Sequence, residues 1–577
     1  MIKIYLSVAL LFIISSISYA QQMPTPYEIS GGTHTATYAE AIDYYKALTG
    51  KYPVIKMEEA GQTDAIYPLH VVYYSRDTDF NVNGWKQKNK IVLLINNGIH
   101  PGEPDGIDAC MMLLRDAAAG KIKIPRNVVL AVIPIYNIGG ALNRNSYSRA
   151  NQNGPEAYGF RGNGQNLDLN RDFIKADARE SRSFAELFHK LDPDIFIDNH
   201  VSDGADYQHI ITLLATQHNK LGGATGRLMD STIVPLVYES MKHRGYDLVP
   251  YVNDFATTPD HGWTAFYDPP RFSSGYAVLF QTMAFVPETH MLKPYRQRVQ
   301  ATYALMQSFI QIAARNADAI TAARTSDRKA LEQAKRLTLQ WTADTTRYRM
   351  IPFKGYEAGY RASAVSGKPR LYYDHDKPFT KQVPFYDHFV PSSSVTVPSA
   401  YLLPQGWKDV ADRLRMNDVV LAPLEHDVTI YVTAYHIDKY ETVPRPYEKH
   451  YLHRNITVTP EKQTIKFLRG DYIIATSQPA KRYIVETLEP TAPDGFFAWN
   501  FFDAILQQKE YFSDYVFEDE AERLLQKDPT LRKKLQEKMQ SDTTLRNNGA
   551  AQLDFIYRSS PYMEPGYMRY PVFRVEE

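Results

Sequence analysis

The chain is almost without cysteine: Cys110 is the only one in 577 residues. A single thiol excludes an intrachain disulfide and any cysteine-based metal site. There is no surplus of charge either, 65 basic against 65 acidic residues, and no long block of one sign. That balance argues against a nucleic-acid partner. Two common hydrolase signatures, H-E-x-x-H and G-x-S-x-G, are absent, and no internal repeat is found. The apolar stretch at residues 6–14 is too short to span a bilayer, which takes about 20 residues. With Lys3 before it and Ser18-Tyr19-Ala20 after it, the stretch reads instead as a secretory signal cleaved before Gln21. The expectation is an exported protein, periplasmic or extracellular, with no stable membrane insertion once the signal is removed.

Hydrophobic residues make up 44% of the chain, and 41 Tyr and 26 Phe supply much of the material for a core. At one domain per ~150 residues the length suggests two to four domains. Between residues 30 and 330 apolar runs alternate with helical patterns, the pattern of an α/β layer fold. Strands are expected at "HVVYYS" (70–75), "KIVLLIN" (90–96), "VVLAVIPIY" (128–136), "DIFIDNH" (194–200) and "AVLFQTMAFV" (277–286). Their continuous apolar character suits strands buried on both faces. In "PDGIDACMMLLRDAAAG", Ile107, Cys110, Met111 and Leu114 fall on one helical face, and Pro104 and Gly120 mark its ends. Helical patterning also covers residues 293 to about 337. After Trp341 short strand-like segments, "DVTIYVTAYHI", "QTIKFLRGDYIIAT" and "KRYIVETLEP", alternate with Pro- and Ser-rich turns, and a helical tail follows. The expected division is a signal at 1–20, a catalytic domain at 21–340, a β-rich accessory domain at 341–490 and a helical segment at 491–577.

The loop "NNGIHPGEPDG" (96–106) follows a buried strand and opens a helix. In open α/β sheets that end of the strands is where sites are built. His100 and Glu103 could be two metal ligands there, or two ordinary turn residues. A catalytic zinc site needs three N/O ligands and an open position. His200, at the end of "DIFIDNH", has the right placement for a third. "GFRGNGQNLDLNRDF" (159–173) adds Arg161, Asp168, Asn170 and Arg171, and arginines with an asparagine beside a metal suit a carboxylate clamp.

These four segments, H-x-x-E, then R-x-N-x-x-x-x-D-L-N-R, then a strand-end His and a later strand-end Glu, resemble the zinc carboxypeptidase family over roughly residues 35–310. The implied type is bacterial and secreted, with an additional C-terminal domain. The resemblance implies a mixed, mostly parallel twisted sheet flanked by helices. It implies one Zn2+ held by His100, Glu103 and His200, with Asp168 hydrogen-bonded to the first histidine. Asn170 and Arg171 would grip the terminal carboxylate of a peptide, Arg161 would polarise the scissile carbonyl, and Glu288 would be the general base. The family's mobile tyrosine falls on Tyr267, with Tyr276 as the alternative. Where the family often reads N-R-N, this chain has Asn170-Arg171-Asp172.

Other residues remain open on the sequence alone. Arg144 and Arg149 either line the cleft or sit in a solvated loop, and Arg271, if it pointed into the side-chain pocket, would favour acidic substrates. His209 and His261 have no partner at a useful spacing. The reading that follows is a carboxypeptidase acting on peptides with a free C-terminus. Two rivals are a zinc amidase or deacylase acting on N-acyl amino acids or cell-wall peptides, and a non-catalytic peptide-binding protein.

Overall fold

The computed structural model describes residues 23–253 and 257–576; the expected signal at 1–20 lies outside them. At its centre are strands β1 (Ile55–Gln62), β2 (Pro68–Tyr74), β3 (Ile91–Asn96), β4 (Val128–Ile133), β5 (Ile195–Asp198), β6 (His200–Ser202) and β7 (Ile211–Ala215). The short β8 (Trp263–Thr264) lies outside this sheet, and β9 (Met283–His290) belongs to it. The order is β1-β2-β4-β3-β5-β9-β6, with β7 also paired to β9. The pairs β3/β4, β3/β5, β5/β9 and β6/β9 are parallel, whereas β1/β2, β2/β4 and β7/β9 are antiparallel. This is the mixed sheet expected from the sequence.

Every residue of β3 and β4 is buried, because helices cover both faces. Ile91, Leu93 and Ile95 face one cluster, shared with Ile107, Cys110 and Met111 of helix Asp105–Ala118 and with Leu305 and Phe309 of helix Tyr295–Arg315. Val92 and Leu94 face the other, shared with Phe184 and Phe188 of helix Arg179–Leu191. The alternation is the period of two that a strand imposes. Cys110 is a buried hydrophobe whose thiol burial pushes up to about 12.

One expected strand is mis-assigned in its first half. Residues 273–280 of "SSGYAVLF" coil into helical turns, closed by Gln281 at φ 55°, and β9 starts only at Met283. Apolar runs this short carry no period that separates buried helix from buried strand. The same ambiguity misled at "KRYIVETL", which is helix Lys481–Leu488, every residue buried and Arg482 paired with Glu486 one turn on at 2.7 Å.

Beyond residue 335 come β10 (Arg336–Ala343), β11 (Arg349–Ala362), β12 (Pro369–Tyr386), β13 (Phe389–Thr396), β14 (Ala400–Leu403), β15 (Ala422–Pro423), β16 (Val428–Thr442) and β17 (His453–Phe467), of which β11 with β12 and β16 with β17 form long antiparallel ribbons. Helices Asp514–Lys527, Pro529–Ser541 and Gly549–Arg558 pack around a small core of their own, after which residues 573–575 return to pair with β16 and with strand Ala400–Leu403. These later elements share a core with the sheet: Tyr483 of helix Lys481–Leu488 stacks on Phe280 at 5.7 Å. Among the described residues no helix is long and apolar enough to cross a membrane.

Candidate active site

The site stands at the carboxyl ends of β3, β5 and β9. After Asn96 the chain turns sharply at Gly98, φ 64°, a left-handed conformation glycine adopts without strain. Glu103 N–H then donates to the His100 carbonyl at 2.8 Å, which brings the two side chains to one side. Gly102 leaves room for Arg149, whose Cδ would lie 2.7 Å from an added Cβ. His200 arrives by another route: β5 stops at Asp198, and β6 resumes in pairing with β9, where His200 and Glu288 are register partners. The sheet itself therefore sets the catalytic-base candidate beside the third ligand candidate.

His100, Glu103 and His200 are 2%, 3% and 5% exposed, and they offer ligand atoms all within 4.8 Å of one another. Their chemistry fits a cation. His100 Nε2 lies 2.9 Å from Asp168 Oδ1 and His200 Nε2 lies 3.0 Å from Asp198 Oδ2. Two carboxylates thus hold the ring protons on the Nε2 side. That leaves the Nδ1 lone pairs aimed at Glu103, 3.2 Å from Oε1 for His100 and 3.0 Å from Oε2 for His200. Lone pairs facing carboxylate oxygens repel unless a proton or a metal cation lies among them, and His100 Nδ1 is a buried atom without a hydrogen-bond partner. Three N/O donors of this kind suit zinc.

Charge around the cluster is dense. Burial raises the pKa of Glu103, but His100 and Arg149 outweigh it and hold the carboxyl well below its usual range. Asp168 is also pulled down, by His100 and Arg161 against its burial. Burial opposes protonation of His200, yet Asp198 and Glu103 hold its pKa well above the ordinary value. Glu288 is pushed up to about 8, chiefly by burial.

The loop at 159–173 brings its residues to the same cavity, of about 300 Å³, lined by Arg161, Asn170, Arg171 and Glu288 as well as the three ligand candidates. Arg161 Nε donates to Asp168 Oδ2 at 2.9 Å. Asn170 Oδ1 accepts from Ser273 N–H, and the Arg171 guanidinium lies 4.3 Å over the Phe272 ring. Asp172 turns away from the clamp: it is fully buried, pairs with Lys175 and accepts the N–H groups of Asp177 and Ala178.

The expected tyrosine and its alternative both lie elsewhere, and the open question of Arg271 resolves away from the pocket. Tyr267 does not reach the cavity; it stacks on Phe389 at 5.6 Å beneath Lys220. Tyr276, the alternative, is fully buried and donates to Asn417 at 2.6 Å. The tyrosine lining the cavity is Tyr251, which the spacing argument passed over because it lies further from Glu288. Arg271 is not in the side-chain pocket: it pairs with Asp494 at 2.6 Å and lies 5.0 Å over Trp499. Of the two open arginines, Arg149 donates to Glu103 Oε1 at 2.8 Å, and Arg144 binds the Thr35 carbonyl away from the site. Asp198 was missed, although "DNH" placed an acid two residues before His200. His209 is held between the Asp247 carbonyl and the Lys354 N–H, remote from the cluster.

No family model matches the chain. A protein of Trichophyton tonsurans named carboxypeptidase 2 is 21% identical over 434 residues, 71% of this chain and 73% of the relative. The carboxypeptidase 2 of Trichophyton rubrum is likewise 21% identical, over 70% and 73% of the two chains. Both relatives are fungal. Among solved structures, the carboxypeptidase A of Helicoverpa armigera aligns with a TM-score of 0.38 at 15% identity, over 50% of this chain and 75% of that one. The curated relatives share the name carboxypeptidase and match about 70% of this chain, so the chain is similar to carboxypeptidases over most of its length, and His100, Glu103 and His200 form a group that could hold a metal ion.

Proposed function

We propose that this protein is an exported zinc carboxypeptidase that removes C-terminal residues from peptides. The observation that carries this reading is the convergence of ligand atoms of His100, His200 and Glu103 within 4.8 Å, beside a buried Glu288 in register with His200. Zinc held by those three residues would supply Lewis-acid polarisation of a carbonyl and a water acidified toward pH 7. In this reading Asn170 and Arg171 bind the terminal carboxylate, Arg171 bidentately. Glu288 takes the proton from the attacking water and passes it to the leaving amine. Held beside a bound cation, Glu288 would have a pKa below the level that burial sets and could act as a base near neutrality. Arg161, fixed by Asp168, donates to the oxyanion. A second, mainly apolar cavity of about 320 Å³ shares Leu214, Tyr251 and Phe266 with the site, carries Asp230, Arg349 and Asp387 in its wall, and supports a bulky side chain on the departing residue. The argument for export is the N-terminal sequence, Lys3 followed by the apolar stretch and Ser18-Tyr19-Ala20.

The test compares peptides, their C-terminal amides and N-acyl amino acids as substrates of the zinc-loaded protein. Free-acid peptides should be cleaved and amides spared; equal cleavage of both removes the clamp and favours an amidase. E288Q should keep its zinc and lose turnover by about 10²–10⁴-fold. Unchanged turnover removes Glu288 from the mechanism.

A further inference from the structure

The loop between β16 and β17, residues 443–452 ("VPRPYEKHYL"), lies more than 240 residues beyond His200 in sequence and yet reaches the clamp loop of the site. Glu448 Oε2 accepts the backbone N–H of Asp168 at 2.8 Å. Two residues on, His450 Nε2 lies 2.6 Å from Asp177 Oδ2. Glu448 and Lys449 have φ of 48° and 76°, two successive non-glycine residues in the left-handed region. Such strain persists only where surrounding contacts over-determine it, and it gathers at functional positions. Those contacts are present: Tyr447 and His450 exchange backbone hydrogen bonds across the turn, and Tyr447 stacks on Trp499 at 6.0 Å.

We infer that Glu448 is a positioning residue of the active site, fixing Asp168 and through it both His100 and Arg161. Every polar group of Asp168 is engaged, its carbonyl by the Arg171 N–H at 2.9 Å. Oδ1 meets His100 Nε2 and the Asn170 N–H, Oδ2 meets Arg161 Nε, and the N–H is held by Glu448. The peg that orients the first histidine is thus itself held by a strap from the distal part of the chain. An ionised acceptor on that N–H is about twice as strong as a neutral one. Removing it leaves the peptide before Asp168 held only at the Leu167 carbonyl, which accepts the Asn163 N–H at 2.9 Å, and so loosens the carboxylate that aims the His100 lone pair.

The inference rests on the metal site proposed above, and its test separates the two. Zinc affinity is measured by chelator competition, and kcat and KM at saturating zinc, for wild type, E448A and E448Q. E448A should bind zinc about tenfold more weakly, the lower end of the range for partners behind a ligand, with kcat lowered and KM near wild type. E448Q, which keeps an acceptor oxygen, should recover most of the zinc affinity. Zinc affinity in E448A equal to wild type overturns the inference, even if the variant melts earlier, because a merely structural strap would lower stability alone. Equal losses in E448A and E448Q overturn it as well. If wild type itself binds no zinc, the site reading fails first and this inference falls with it.

Discussion

Asp198→Asn perturbs the site without touching a ligand. Asp198 presents Oδ2 to His200 Nε2 at 3.0 Å and Oδ1 to Asn96 Nδ2 at 2.9 Å, so each oxygen faces a donor. An amide has one oxygen and one NH2, and one of the two donors must then meet an NH2. Asn96 offers a way out, because its own buried Oδ1 has no partner and its amide can turn over. In that case only the charge on the acceptor is lost, about 1 kcal/mol, the gap between a hydrogen bond to a charged group and a neutral one. That is roughly fivefold in zinc affinity. If Asn96 stays as it is, a buried donor is left unsatisfied with or without metal, at about 1–3 kcal/mol of stability, and a misaimed His200 ring carries the affinity loss toward about 100-fold. Chelator competition on D198N should therefore give a zinc dissociation constant about 5–100 times that of wild type, with the melting temperature in chelator little changed if Asn96 turns over and lowered if it does not. Affinity within twofold of wild type would refute the assignment of His200 Nδ1 as the ligand atom.

Two further outcomes are expected away from the cluster. Burial raises the pKa of Asp108 to about 6, against hydrogen bonds from Thr35, Tyr295 and the Ala36 N–H. Its folded pKa lies above its unfolded value, so its contribution to stability is complete below about pH 4. That contribution is lost as pH rises through 6, by on the order of 3 kcal/mol. D108N should therefore gain stability relative to wild type between pH 5 and pH 8, and parallel melting curves across that range would count against it. Arg271→Ala leaves Asp494, 1% exposed, as a buried carboxylate without its partner, which should cost about 3–5 kcal/mol in urea unfolding. The same variant should keep the wild-type preference between acidic and neutral C-terminal residues; a shift in that preference would return Arg271 to the pocket.

What could be read from the sequence was local in the chain. "NNGIHPGEPDG" announced a bend after a buried strand, because Gly and Pro have backbone meanings that need no tertiary context. "DIFIDNH" gave His200 for the same reason, as the last residue of an apolar run. Tyr251 was not legible: it reaches the cavity through the path of the segment after β7, and counting back from Glu288 selected Tyr267 instead. Asp198 was in plain view, but an acid two residues before a histidine in a strand normally shares its face, and only the break between β5 and β6 gives that proximity its meaning. The strand expected at 277–286 and the one at "KRYIVETLEP" failed because short, wholly buried segments have no exposed face to mark their period.

Glu103 gathers these contributions into one physical statement. Its two oxygens meet Arg149 Nη1, the Val201 N–H and both histidines, and Arg161 Nη1 stands 3.5 Å away. A carboxylate 3% exposed would lose several kcal/mol on entering such an interior as an ion. The two arginines and the amide offset that cost and hold the carboxyl ionised well below its usual range. Arg149 comes from the loop after β4, Val201 from β6 and Arg161 from the clamp loop, three separate parts of the sequence. The loop between β16 and β17 adds a fourth through Asp168. A surface acid at a helix start needs none of this support, and the number of donors spent on Glu103 argues that its charge serves a bound cation rather than the helix.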